Sequence, residues 1–148
     1  MKKVKRLDVI YVTIQCVLLI IFYIPIIPYS FPLPHIVKYS GVVIATVGFL
    51  IVLIAILQLS KNLTPFPTPK ASGELIKTGL YKFVRHPIYS GIFLAASGIA
   101  LYTCLYWQLS ISFILVVLFY FKSKYEESLL IQKYPDYKNY MNVTRRFF

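Results

Sequence analysis

The feature that most constrains this chain is the run from about His35 to Leu59, in which Lys38 is the only charged residue. About 20 apolar residues suffice for a helix to cross the hydrocarbon core of a bilayer. In lipid, only a helix or a closed barrel satisfies every backbone polar group. A second such run, Leu7 to about Ile27, follows the basic flank MKKVKR and ends at Pro25 and Pro28. A signal peptide starts alike, but its apolar region is shorter and stops at a small-residue cleavage site. Both runs are therefore expected to be transmembrane helices. Composition agrees, with 58% hydrophobic and 14% charged residues over 148 positions. A soluble chain of this size would bury too little of that apolar surface. The expected fold is an all-α integral membrane protein, one domain over residues 1–148, with the lipid bilayer as its main partner.

Proline and charge divide the rest. Tyr29–Pro34 (YSFPLP) is a short connection, and Ser60–Pro69 ends the second helix with Pro65, Pro67 and Pro69, which impose extended backbone. Gly41, Ala45 and Gly48 lie near one face of that helix. They either let another helix approach closely or are merely tolerated there. A third helix is expected from about Pro87 to Tyr102, with Pro87 suited to the first turn. Thr103–Gln108 reads as a tight connection with Tyr106 and Trp107 as interfacial aromatics. A fourth helix is expected from near Leu109, apolar to Phe121, then polar as far as Lys133, with Pro135 as its stop. Asp136–Phe148 is a basic, aromatic tail. About four spans result. The third and fourth are short as apolar runs, compatible with tilt, with help from flanking Tyr and Trp, or with a hairpin that crosses partway.

The net charge is +11, yet the basic residues lie between apolar runs rather than on one amphipathic face, so nucleic acid is not an expected partner. With four spans, 15 of the 16 Lys and Arg residues fall on one side, and only Lys38 falls on the other. The positive-inside rule makes that side cytoplasmic, with both termini there. Cys16 and Cys104 sit in or beside apolar runs without ligand spacing, so neither a disulfide nor a metal site is expected.

Between the two hydrophobic halves lies Gly73–Gly91, GELIKTGLYKFVRHPIYSG. It carries Arg85 and His86 to the mouth of an apolar helix, while Glu126 and Glu127 follow the last apolar run. All four are expected at the same helix ends. Ionisable groups at a membrane edge are costly unless paired, which makes them functional candidates. Singly, Arg85 reads equally well as a snorkelling anchor and His86 as a satisfied interfacial histidine. Glu126 and Glu127 read as solvated charges pairing with Lys122 and Lys124. Together, a basic pair facing an acidic pair matches a ligand carrying both a carboxylate and an ammonium. S-adenosylmethionine has both, with an adenine that suits Tyr81, Tyr89 or the tail aromatics.

Leu75-Ile76-Lys77-Thr78-Gly79-Leu80-Tyr81, Arg85-His86-Pro87-Ile88-Tyr89-Ser90-Gly91 and the later Glu126-Glu127, with Tyr134, Tyr137 and Tyr140 beyond, resemble the isoprenylcysteine carboxyl methyltransferase family. Phospholipid N-methyltransferases share a similar arrangement. The resemblance covers about Leu63 to Arg146. It implies a cytoplasmic cofactor site built from the loop between helices two and three and the C-terminal segment. Residues 61–148 form this cofactor-binding half, behind two N-terminal helices over 1–60. It implies S-adenosylmethionine contacts at Leu75, Ile76, Tyr81, His86, Pro87, Ile88, Tyr89 and Glu126, with Glu126 receiving the methionyl ammonium. Arg85, His86 and Glu127 are the implied catalytic groups, with His86 or Glu127 as base where the acceptor is an amine. Near the position of Lys122 the eukaryotic carboxyl methyltransferases have an arginine that helps handle the substrate carboxylate, so the resemblance implies substrate binding at Lys122, which keeps the charge without the bidentate fork. The implied reaction is methylation of a carboxyl or amine group on a lipophilic or amphiphilic acceptor. Two other readings are a sterol-reductase-like enzyme using NADPH, whose relatives resemble the same half, and a non-catalytic membrane scaffold.

Overall fold

The computed structural model describes residues 5–24, 26 and 29–148, without the side chain of Lys61. Five helices follow one another: α1 (Arg6–Tyr23), α2 (His35–Leu59), α3 (Pro87–Thr103), α4 (Tyr106–Lys133) and α5 (Tyr137–Val143). Short 3-10 turns stand at Ser60–Asn62 and Gly79–Lys82. The described residues form isolated β-bridges but no strands. The protein is an all-α membrane protein. Helices α1, α2 and α4 are each long and apolar enough to cross a bilayer. The remaining expected span is α3, an apolar helix of 17 residues, about 25 Å at the helical rise. Outward side chains such as Leu57 and Phe113, 67% and 69% exposed, would face lipid.

The helices pack in the order α1, α4, α3, α2, so α1 and α2 stand on opposite flanks. The tightest contact is between α2 and α3, and small residues make it possible. Gly41, Ala45 and Gly48 on α2 face Gly98, Ala95 and Gly91 on α3 in antiparallel register. A Cβ on Gly98 would lie 2.4 Å from Ala45 N and 2.5 Å from Gly41 O. Backbone occupies that space, so a side chain there has nowhere to go. The close-approach reading of Gly41, Ala45 and Gly48 therefore holds. The other core joins α1, α3 and α4 through Phe22, Ala96, Trp107, Ile111, Leu115 and Phe119.

Three expectations change at the end of the bundle away from the loop between α2 and α3. Helix α1 stops at Tyr23 rather than near Ile27, because Ile24 precedes a proline and is extended, with φ −82° and ψ 124°. The expected breakers Pro25 and Pro28, with Ile27 and Met1–Val4, lie outside the described residues. Helix α4 starts at Tyr106 rather than Leu109, so the connection shrinks to Cys104 and Leu105. Cys104 takes a left-handed conformation at φ 57°, and its amide bonds Ala100 O at 3.0 Å. Trp107 is not an interfacial aromatic. It is buried against Phe22, with ring centroids 6.2 Å apart, while Tyr106 stays exposed. Gln108 explains the early start, since its Nε2 donates to Phe22 O at 3.1 Å and caps α1. At this end Phe31 N also bonds Cys104 O at 2.9 Å, tying both connections together.

The α2–α3 seam gives a direct test. Gly98→Val should destabilise the protein by about 1–3 kcal/mol through overpacking against backbone, read as a lowered Tm in detergent. Phe113→Ala on the outward face should leave Tm nearly unchanged.

Candidate functional site

At the opposite end of the bundle, the start of α3 and the end of α4 meet the loop between α2 and α3. Pro87 occupies the first turn of α3 as expected, and His86 before it is non-helical, with φ −125° and ψ 61°. The tail runs beside this entry: Arg85 N donates to Arg145 O at 2.8 Å and His86 N to Arg146 O at 3.2 Å. Tyr134, ahead of Pro135, is extended and ends α4 at Lys133. The chain then forms α5, a helix the tail's composition did not announce.

The loop is held from three directions. Gln58 on α2 accepts from Leu80 N at 2.9 Å, next to Gly79, whose φ of +61° suits glycine. Asn62 pairs with the backbone of Glu74 in both directions, at 3.1 Å each. From α4, Lys133 Nζ and the Tyr134 hydroxyl reach Gly73 O at 3.0 and 2.6 Å. The Tyr140 hydroxyl donates to Tyr81 O. Burial pushes the Tyr140 phenol up to about 12, and it stays a donor at neutral pH. Burial also raises Tyr81, helped by Glu126, and Tyr137, helped by Glu127 and Glu126.

Beneath this loop is a cavity of about 360 Å³. Leu75, Ile76, Tyr81, Arg85, His86, Pro87, Ile88, Tyr89, Lys122 and Glu126 all line it; Glu127 alone of the expected site residues does not. Lining that sequence reasoning missed comes from Val12, Gln15 and Cys16 on α1, and from the Pro65–Pro69 segment.

The adjacent carboxylates face different surroundings. The Tyr89 hydroxyl donates to Glu126 Oε2 at 2.7 Å, and Glu126 Oε1 carries no hydrogen bond among the described residues. The His86 ring stacks on Tyr89 at 5.3 Å, and Tyr89 stacks on Phe119 at 4.8 Å, each pair 6° from parallel. Glu127, 3% exposed, accepts from Arg85 Nε at 2.9 Å, His86 Nε2 at 3.2 Å and Arg146 Nη2 at 2.5 Å. Arg85 also donates to Met141 O at 3.0 Å and to Thr144 O. Arg85 and Glu127 thus fasten the tail to α3 and α4. The Glu127 hydrogen bond raises the Arg146 pKa, keeping that guanidinium charged. Arg146, read from the sequence only as a topology charge, proves to be a partner in this cluster.

Removing the shared carboxylate leaves two guanidinium groups without their anion, and such losses cost about 3–5 kcal/mol. Glu127→Gln should therefore lower Tm sharply. Arg146→Met, at the more exposed partner, should cost less. The double variant should fall short of the sum, as a cycle of thermal melts would show.

A family model described as phospholipid methyltransferase matches residues 36–137, more than half of the chain. No curated protein matches it. The matched segment contains α2 from Ile36 onward, α3, α4 and the loop that roofs the cavity. The chain belongs to the phospholipid methyltransferase family, which includes the isoprenylcysteine carboxyl methyltransferase-like proteins.

Proposed function

We propose that this protein is an S-adenosylmethionine-dependent methyltransferase that methylates a carboxyl or amine group of an amphiphilic acceptor at the membrane edge. The observation that carries this reading is the polar geometry of the cavity. Glu126 offers one free carboxylate oxygen beside a stacked His86–Tyr89 pair, in a space within the range of small-molecule sites. That oxygen suits the methionyl ammonium, the aromatic faces of Tyr81 and Tyr89 suit the adenine, and Leu75, Ile76, Pro87 and Ile88 supply apolar walls. When bound, the cofactor supplies an electrophilic methyl group on a sulfonium, and its departing sulfur becomes a neutral thioether.

The protein's contribution is alignment and exclusion of water. The pinned loop covers the cavity from above, and the His86–Tyr89–Phe119 stack fixes one wall. A carboxylate acceptor needs no base. An amine acceptor must first lose a proton, and His86, which lines the cavity, is the group placed to receive it. Glu127 lies outside the cavity with both oxygens engaged by cations, so its proposed part is to orient Arg85 and His86. The positive-inside distribution supports a cytoplasmic site with both termini on that side and α3 as a fourth crossing helix. Family membership favours this reading over the NADPH-dependent reductase and the scaffold.

S-adenosylhomocysteine should bind the detergent-purified protein in calorimetry. Glu126→Gln should weaken that binding by about tenfold or more, since hydrogen bonds to charged groups contribute about 1.5–3 kcal/mol. Tyr89→Phe, which frees the second carboxylate oxygen, should weaken it less. A folded native protein that fails to bind would sink the proposal and favour the nicotinamide reading.

A further inference from the structure

Among the described residues, most of the large apolar side chains that stand exposed belong to α1, α2, α3 and α4, where lipid would cover them. Phe83, Val143 and Phe148 are among the exceptions. They are 66%, 82% and 62% exposed and lie at the loop and tail end, outside those helices.

Backbone pairing brings these segments together. Val84 and Arg145 form a parallel bridge, and Arg85 N and His86 N donate to Arg145 O and Arg146 O. Residues 83–86 lead into α3, so residues 144–147 beside them run the same way, from the loop end toward the middle of the bundle. Side-chain contacts agree. The Arg146 guanidinium stands 5.5 Å from the centre of the Tyr120 ring, within the apolar part of α4. Phe147 packs on the core shared by α1, α3 and α4, with its ring centroid 6.0 Å from that of His86. Arg145 therefore stands where the apolar helix surface gives way to polar chain, the depth of lipid headgroups.

Lys82 and Arg145 are exposed on this seam, and neither forms an ion pair among the described residues. The acidic residues are occupied elsewhere. Asp8 and Glu127 are buried, Glu126 lines the cavity, Glu74 is held beside Asn62, and Asp136 lies 3.9 Å from Lys77. Exposed phenyl rings beside unpaired cations suit neither bulk water nor hydrocarbon. They suit a bilayer interface, and the missing charge is negative.

We infer that the seam between residues 82–86 and 144–148 binds an anionic phospholipid of the surrounding leaflet, its phosphate held by Lys82 and Arg145 and its apolar part against Phe83 and Phe148. This lipid is not the methyl acceptor, because none of those four residues lines the cavity. It braces the tail. Arg146 and Phe147, next to Arg145, are the residues that reach Glu127 and His86, so the charge of the leaflet bears on the cavity wall from outside.

The test adds phosphatidylglycerol or phosphatidylcholine with matched chains to the detergent-purified full chain and reads the first bound lipid by native mass spectrometry. A basic residue at an anionic surface contributes about fivefold in affinity. Phosphatidylglycerol should therefore bind at least about tenfold more tightly than phosphatidylcholine. Lys82→Gln combined with Arg145→Gln should bring that ratio to within about twofold, and Phe83→Ser should weaken both lipids. Lys38→Gln combined with Lys138→Gln removes the same net charge away from the seam and should keep the preference. Phosphatidylglycerol should also raise the Tm of the native chain but not that of the Lys82→Gln, Arg145→Gln variant. Equal affinity for the two lipids in the native chain would overturn the inference, as would a preference that survives loss of Lys82 and Arg145 or disappears with Lys38 and Lys138. Loss of the preference in Lys122→Met would overturn it too, since that lysine is buried in the cavity wall beside Gln15 and the lipid would then lie inside. Displacement of the lipid by millimolar glycerol 3-phosphate would equally sink it, by making the seam a site for a soluble anion.

Discussion

Along the α2–α3 seam backbone lies against backbone, and the rest of the molecule depends on that proximity. Gly41, Ala45 and Gly48 meet Gly98, Ala95 and Gly91 with no room for side chains between them. Lipid supplies little hydrophobic drive between apolar helices, so close van der Waals contact must hold them. One end of the seam is where the loop leaves α2 and returns to α3. Gln58 reaches from α2 to Leu80 N, and the Tyr81 hydroxyl reaches back to Ala55 O at 3.5 Å. Fixing the two helices therefore fixes both ends of the segment that roofs the cavity.

The acidic pair on α4 shows how one turn of helix divides labour. Successive residues project about 100° apart around an α-helix. Glu126 consequently faces the cavity and Tyr89, while Glu127 faces Arg85, His86 and Arg146. Read as a sequence, the two carboxylates form a single acidic patch opposite a basic one. In the fold, one keeps an oxygen without a hydrogen bond among the described residues and the other is consumed in holding the tail. A buried carboxylate with two guanidiniums and an imidazole is a costly arrangement to desolvate, and it contributes stability only when complete. It makes the cavity wall conditional on a tail that composition alone presents as a solvated basic end.

Several features were legible because they involve local chemistry: helix breaks before proline, Pro87 opening α3, small residues on one face, and polar residues at the ends of apolar runs. What stayed hidden was facing. In α2, and in the parts of α1 and α4 that would lie in lipid, most residues are apolar, so periodicity carries little information about which side meets protein. Trp107 illustrates the consequence, since an aromatic beside a turn fits the interface or the core equally well until Gln108 is seen capping α1. Asp8 and Gln15 were the exception that sequence reasoning passed over. Polar residues spaced by two turns on an apolar helix mark its protein-facing side.

Charge placement distinguishes the two ends of the bundle. Among the described residues the basic side chains gather at the loop and tail end, while Lys38 stands at the other beside Tyr102, 5.4 Å from its ring centre. A cationic rim raises the local concentration of anions, an effect that extends over about a Debye length. Within it, Glu126 supplies the opposite sign at one point of the cavity, and Lys122 supplies a buried cation at another. A zwitterionic ligand and an anionic amphiphile would both be drawn to the same rim. This rim is the same charge that the positive-inside rule would place on the cytoplasmic side.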